Sequence, residues 1–300
     1  MTRRPWHGVL VATALPFHAA GDDPLAVDLD RYAEHVRWLA AEGCDGVAPN
    51  GSLGEYQSLT TDERAAVVRT AVDAAPEGFT VMPGVGAYGA REARAWAEQA
   101  ADAGAHAVMA LPPNGYRADE VAVVEHYRAV ALAGLPVVAY NNPLDTKVDL
   151  TPQLLARLHG EGLVVAVKEF TGDVRRAYEI AELAPGLDLL VGSDDVTLEV
   201  ALAGAVGWVS GYPNALPRSC VRLWELARGG DVAAALPPYR ELHPLLRWDS
   251  RVEFVQAIKL SMDLAGRYGG SCRPPRQPLG DEAERAVREA TEKALAGGWR

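Results

Sequence analysis

One pattern constrains this chain more than any other. Eight times over, a short run of β-branched or apolar residues ends in polar, Gly or Pro residues, and a longer Ala/Leu/Arg/Glu stretch with helical period follows. The runs lie at 8–17, 46–50, 80–85, 107–113, 136–142, 164–170, 188–195 and 206–211. The helical stretches lie at 28–42, 60–74, 90–103, 118–133, 151–159, 173–184, 196–204 and 218–228. The runs are continuously apolar and do not alternate, as expected of parallel strands covered on both faces. Eight such units in about 220 residues predict an α/β fold, the (β/α)8 TIM barrel. An open doubly wound sheet is the alternative. It would carry a Gly-rich phosphate loop after its first strand, and Leu15-Pro16-Phe17 is not one.

Local signals agree with this division. Thr60 with Glu63 reads as a helix N-cap, as does Thr151 followed by Pro152. Gly43, Gly104 and Gly134 stand where helix C-caps belong. After Gly230 the strand signals stop. Residues 231–248, 251–267 and 281–296 read as helices, separated by Arg247-Trp248-Asp249-Ser250 and by 269–278. The expected organisation is a barrel over 1–230 and a C-terminal helical extension over 231–300, packed on the barrel or on a neighbouring subunit.

Composition narrows the function classes. Asp plus Glu number 40 against 29 Lys plus Arg, a net charge of −11. An acidic surface repels phosphate backbones and anionic lipid heads, so neither nucleic acid nor a membrane is an expected partner. The apolar run 8–17 is short and broken by Pro16, and it reads as a first strand, not a signal peptide. Three scattered cysteines, Cys44, Cys220 and Cys272, suit neither a disulfide scaffold nor a CxxC metal site, which suggests a reducing, cytoplasmic setting. Seven histidines include no HxxxH pair and no His-Cys cluster, so no metal site is expected. His35, His106, His126 and His159, and Trp38, Trp96 and Trp224, read as packing or surface residues of the helices.

In such a barrel, chemistry gathers at the C-terminal ends of the strands. Lys168 is the most informative residue there. It lies inside the apolar run Val164-Val165-Ala166-Val167-Lys168-Glu169-Phe170, in a chain with four lysines and 25 arginines. A buried ammonium is costly, and burial frees the amine to act as a nucleophile. The alternative is a lysine paired with a buried carboxylate. Tyr140 ends the fifth run, where a phenol could relay protons or serve as a core tyrosine. Gly51-Ser52-Leu53-Gly54-Glu55 follows the second run, and its backbone N–H groups could face an anion or form an ordinary loop. Gly192-Ser193-Asp194-Asp195 reads first as the cap of the next helix. The segment Trp208 to Asn214 closes the barrel beside the expected site.

Together these motifs resemble the dihydrodipicolinate synthase / N-acetylneuraminate lyase family of class I, Schiff-base-forming barrels, over nearly the whole chain. The family's Gly-(Ser/Thr)-Thr-Gly-Glu loop corresponds to Gly51–Glu55, and its Tyr-Asn-x-Pro segment to Tyr140–Pro143. Its lysine, 28 residues beyond that tyrosine in a Val-Lys-(Glu/Asp) strand, corresponds to Lys168. The resemblance implies that Lys168 attacks C2 of a 2-oxo acid to form an imine, and that the imine then stabilises a carbanion at C3. It implies that Gly51, Ser52 and Leu53 hold the substrate carboxylate, that Ser52 is also catalytic beside Lys168 and Tyr140, that Tyr140 shuttles protons, and that the Val209 carbonyl borders the site. It implies no metal or organic cofactor, and a homo-oligomer, commonly a tetramer.

The departures are equally informative. The loop's second threonine is Leu53, so a hydroxyl of the family's proton relay is missing. The synthase branch places a tyrosine 26 residues before the motif tyrosine, where this chain has Asn114, with Tyr116 two residues on. It places an arginine five residues after the motif tyrosine, where this chain has Asp145. An aspartate would repel the carboxylate of aspartate semialdehyde. Lys147 lies close by, but its side chain should point elsewhere if the strand geometry continues.

The segments 140–143, 207–214 and 244–276 look closest to the branch that acts on Δ1-pyrroline-4-hydroxy-2-carboxylate. In that branch the lysine opens a cyclic imine, and loss of water and ammonia leads to 2-oxoglutarate semialdehyde. The expected function is therefore a lyase acting on a small 2-oxo acid or cyclic imine, with this deaminase first. The alternatives are 4-hydroxy-tetrahydrodipicolinate synthase, a pyruvate-dependent sugar-acid aldolase or dehydratase, and a non-catalytic 2-oxo-acid sensor.

Overall fold

The computed structural model describes residues 4–20, 23 and 25–300. Eight parallel strands make one sheet: β1 (Gly8–Ala12), β2 (Gly46–Ala48), β3 (Thr80–Val81), β4 (Val108–Ala110), β5 (Val137–Asn141), β6 (Ala166–Glu169), β7 (Asp188–Val191) and β8 (Gly207–Ser210). Their order is β3-β2-β1-β8-β7-β6-β5-β4. The two ends of that order meet, because Gly84 bridges Met109 in parallel, just beyond β3. The Val85 N–H donates to the Met109 carbonyl and the Met109 N–H to the Pro83 carbonyl, each at 2.9 Å. The sheet therefore curls through eight strands with no free edge between β3 and β4. A barrel manages the exposed edges of a sheet in this way.

Helices α1 (Leu29–Ala41), α2 (Thr61–Ala74), α3 (Ala90–Asp102) and α4 (Glu120–Ala131) follow the first four strands. The short α5 (Pro143–Thr146) precedes α6 (Pro152–Gly160), and α7 (Arg175–Leu183), α8 (Thr197–Leu202) and α9 (Pro217–Arg228) complete the ring. The start signals act as their chemistry requires. Thr60 and Glu63 form a reciprocal capping box, and the Thr151 hydroxyl accepts from the Leu154 N–H. Gly43, Gly104 and Gly134 end their helices at positive φ.

The strands are buried almost throughout, which explains their unbroken apolar pattern. They are also shorter than the apolar runs. β1 stops at Ala12, not residue 17, and β7 at Val191, not residue 195. The apolar residues beyond β1 pack under loops: Phe17 lies beneath the Lys259 ammonium (4.5 Å from the ring centre) and the Arg273 guanidinium (4.6 Å).

Beyond α9 come α10 (Val232–Leu246), α11 (Phe254–Leu264) and α12 (Asp281–Ala296). Their apolar faces join the same buried core as the barrel, through Leu242, Ile258 and Val287 among others. Ser261 and Thr291 hydroxyls bond at 2.9 Å between α11 and α12. The backbone of Arg300 returns to Ser219 on α9. No helix among the described residues is long and apolar enough to cross a membrane.

Candidate active site

The register of the sheet brings the two central groups together. Tyr140 on β5 pairs directly with Lys168 on β6. Direct neighbours on parallel strands point to the same face. The Lys168 Nζ lies 4.4 Å from the centre of the Tyr140 ring and 5.8 Å from that of Phe170. The next residue, Glu169, points the opposite way. It accepts from the Asn141 amide at 2.9 Å and meets Arg176 at 3.4 Å. The acidic neighbour in sequence is thus turned away from the lysine.

Lys168 is buried, and no carboxylate among the described residues forms an ion pair with it. Burial pushes its amine below the ordinary lysine range, an effect partly opposed by Asp249 and Asp194. A depressed amine pKa is what a lysine nucleophile requires at neutral pH. Burial also pushes the Tyr140 phenol up, so it stays protonated and can donate.

Both side chains open into a cavity of about 580 Å³ at the C-terminal ends of the strands. That volume suits a small metabolite. Gly51, Ser52 and Leu53 line one wall, and Asn114 and Asp145 line another. The Asn114 Oδ1 is buried without a hydrogen-bond partner. Val209 lies buried in β8, outside the lining of the cavity, whereas its neighbour Gly211 borders it. Asp145 sits at the mouth, in α5. The Asn142 amide spans from the Asp145 carboxylate (2.8 Å) to the Tyr140 hydroxyl (3.4 Å). The strand geometry ends at Asn141, so Lys147 caps α5 at φ 61°, outside this cavity. It reaches only the Leu144 carbonyl.

The loop after β2 is fixed from afar. Glu55 has a left-handed backbone (φ 52°) and a buried carboxylate. Its Oε1 meets the Lys259 ammonium of α11 at 2.9 Å, and its Oε2 accepts from the Arg273 N–H at 2.9 Å. The C-terminal helices therefore hold the 51–55 loop in place.

The capping reading of Asp194 and Asp195 is overturned. The helix starts later, at Thr197, with no side-chain cap. The Asp194 carboxylate instead turns inward and gathers four donors: the Trp208 indole (2.8 Å), the Ser210 hydroxyl (2.9 Å) and the N–H groups of Gly211 and Tyr212 (3.3 Å each). Asp195 accepts from the Ser250 hydroxyl at 2.8 Å. Burial still raises the Asp194 pKa to about 6, against the opposing pull of the Ser210, Trp208 and Tyr212 donors and of the Lys168 charge.

Two site residues were not foreseen. Asp249, in the break between α10 and α11, reaches the cavity wall and accepts from the Asp194 N–H at 3.4 Å. Its carboxyl is pushed well up by burial. Arg64 of α2 also borders the cavity, sandwiched by Trp96 (4.1 Å) and Tyr56 (5.2 Å) and bonded to the carbonyls of Gly84 and Gly86. Asp249 left one trace in the sequence, an acidic residue in a break between apolar helices. Arg64 left none.

A barrel with a buried lysine at the C-terminal end of its sixth strand, in no ion pair among the described residues and beside a protonated phenol, defines the class I lyases that work through a lysine Schiff base. A model of the dihydrodipicolinate synthetase family matches residues 5–294, and the chain belongs to that family. It is 33% identical over 294 residues to 4-hydroxy-tetrahydrodipicolinate synthase of Anaeromyxobacter dehalogenans (strain 2CP-C), covering 96% of this chain and 97% of the other. A putative dihydrodipicolinate synthetase from Pseudomonas aeruginosa superposes with a TM-score of 0.89 at 31% identity, covering 96% and 98% of the two chains. YagE, a family member from E. coli K12 solved in complex with pyruvate, superposes with a TM-score of 0.88 at 27% identity, again covering 96% and 98%.

Proposed function

We propose that this Schiff-base lyase deaminates Δ1-pyrroline-4-hydroxy-2-carboxylate to 2-oxoglutarate semialdehyde, consuming one water and releasing ammonia overall. The observation that carries this reading is Asp145 at the cavity mouth, held by Asn142 where the synthase branch has an arginine. A second substrate bearing its own carboxylate meets like charge there, whereas a compact cyclic imine with one carboxylate does not need that position.

In this reading the Lys168 amine adds to C2 of the ring, and the ring C2–N bond breaks to leave a primary amine on C5. The backbone around Gly51 and Leu53 and the Ser52 hydroxyl hold the carboxylate, and Asn114 supplies a further polar contact. Tyr140 passes protons to and from the C2 adduct. Loss of the C3 proton gives an enamine, the 4-hydroxyl departs as water, and the double bond shifts towards C5. Two hydrolyses, at C5 and at C2, then release ammonia and the free lysine. No metal or organic cofactor takes part. We further infer a homo-oligomer working in the cytoplasm. Exposed Tyr88 and Tyr116, on adjoining loops beside the site, offer it apolar surface.

The second reading is 4-hydroxy-tetrahydrodipicolinate synthase, favoured by the names of relatives such as the Anaeromyxobacter enzyme. Borohydride trapping with pyruvate, a substrate fragment common to both readings, tests the shared chemistry. Peptide mass spectrometry should find the reduced adduct on Lys168. Turnover is then compared between the cyclic imine and pyruvate plus aspartate semialdehyde. A preference for the second pair would replace the deaminase with the synthase. Absence of any adduct, with the cyclic imine as well, would leave a 2-oxo-acid sensor.

A further inference from the structure

Elimination of the 4-hydroxyl needs a proton donor inside the cavity, because hydroxide is a poor leaving group. The family's relay hydroxyl is absent at Leu53, whose side chain is buried against Gly211. A Cβ placed on Gly211 would lie 3.3 Å from Leu53 Cδ2 and 3.0 Å from Asp249 Oδ1. The aspartate thus borders the same point as the leucine that replaces the hydroxyl.

Asp249 differs sharply from its neighbour Asp194. Asp194 has four donors that favour its ionised form, while Asp249 has one long N–H contact on Oδ2. Two carboxyls this close do not both ionise readily, and the poorly solvated one keeps the proton. Asp249 also lies in the fields of Lys168, Tyr212 and Asp195, and its own charge would reach Tyr140. It therefore faces the reacting centre as a neutral carboxylic acid.

We propose that Asp249 is the catalytic proton donor for the elimination, supplied to the barrel's site by the C-terminal helices. The inference rests on the Schiff-base reading of Lys168. The enamine pair moves to form the C3=C4 bond as the imine at C2 is restored. The C4–O bond breaks towards oxygen, and the Asp249 proton completes a water molecule. The resulting Asp249 carboxylate takes a proton from C5 as the double bond shifts, which returns it to the acid.

The test compares wild type with Asp249→Asn and Asp249→Glu. Wild type should give a borohydride adduct with pyruvate on Lys168. Asp249→Asn should keep that adduct and melt cooperatively no lower than wild type, yet lose about 10²–10⁴-fold in kcat on the cyclic imine. Its trapped cyclic-imine adduct should be heavier than that of wild type by one water, and Asp249→Glu should recover part of the rate. Turnover of Asp249→Asn within threefold of wild type would overturn the proposal. So would joint loss of pyruvate labelling and turnover in both variants, which would mark Asp249 as a residue that merely positions Lys168. An unlabelled wild type would instead remove the Schiff-base reading itself, and this inference with it.

Discussion

The Glu55 carboxylate and the Lys259 ammonium lie 2.9 Å apart, both buried, although 204 residues separate them in the chain. One belongs to the loop that borders the lysine cavity and the other to α11. Removing one member of a buried pair leaves an uncompensated charge, which costs about 3–5 kcal/mol. Lys259→Met should lose that much stability by chemical denaturation, and Glu55→Gln in the same chain should recover a large part. A loss under about 1 kcal/mol for the single variant would show that water reaches the pair.

Asp145 makes the substrate prediction. Asp145→Arg removes like charge and adds a cation at the cavity mouth. It should raise kcat/KM for pyruvate with aspartate semialdehyde by about tenfold or more, some 1.4 kcal/mol. Steady-state kinetics on the purified variant decide this. An unchanged or lower value would sink the argument from charge.

Asp249 predicts an inverted pH dependence of stability. Its folded pKa is raised well above the ordinary carboxylate value. The folded state then binds more protons than the unfolded chain, so this group's contribution is full below about pH 4 and declines as pH rises above it. Asp194, raised to about 6, acts with the same sign between about pH 4 and 6. Asp249→Asn should therefore be more stable than wild type at pH 7, with the gap closing towards pH 4. Denaturation curves at several pH values would show it, and a gap that widened in acid would contradict it.

Gly211 has little room for a side chain. A methyl group there would meet Ile258 Cδ1 at 2.6 Å as well as Asp249 and Leu53. Gly211→Ala should cost about 1–3 kcal/mol from overpacking. It should also lower turnover on the cyclic imine more than tenfold, because Asp249 must shift, while pyruvate still labels Lys168. Normal turnover would mean that the aspartate tolerates displacement.

The barrel was legible because its physics is local. Continuous apolar runs and capped amphipathic helices repeat within a few dozen residues. The Tyr140–Lys168 partnership came from the family resemblance, and the register explains its 28-residue spacing, since the two are direct neighbours on β5 and β6. Misreadings arose where distant residues decide. Leu15 and Phe17 looked like strand because they are apolar, but their burial comes from loop and C-terminal packing. Asp194 looked like a cap because a helix follows, but its donors come from β8 and the residues just after it, 14 to 18 residues on. Asp249 was read only as a break between helices, since nothing near it in sequence announces that it turns into the cavity.

The grip of the C-terminal helices on the 51–55 loop carries a consequence for how the protein is made. All eight strands are complete by Ser210, well before the ribosome has delivered Asp249, Lys259 and Arg273. Until those residues emerge, the nascent barrel holds Glu55 without its partners and the lysine cavity without one wall. Synthesis therefore finishes the candidate site last, and a chain released after Gly230 should be short-lived and unable to label its lysine with pyruvate.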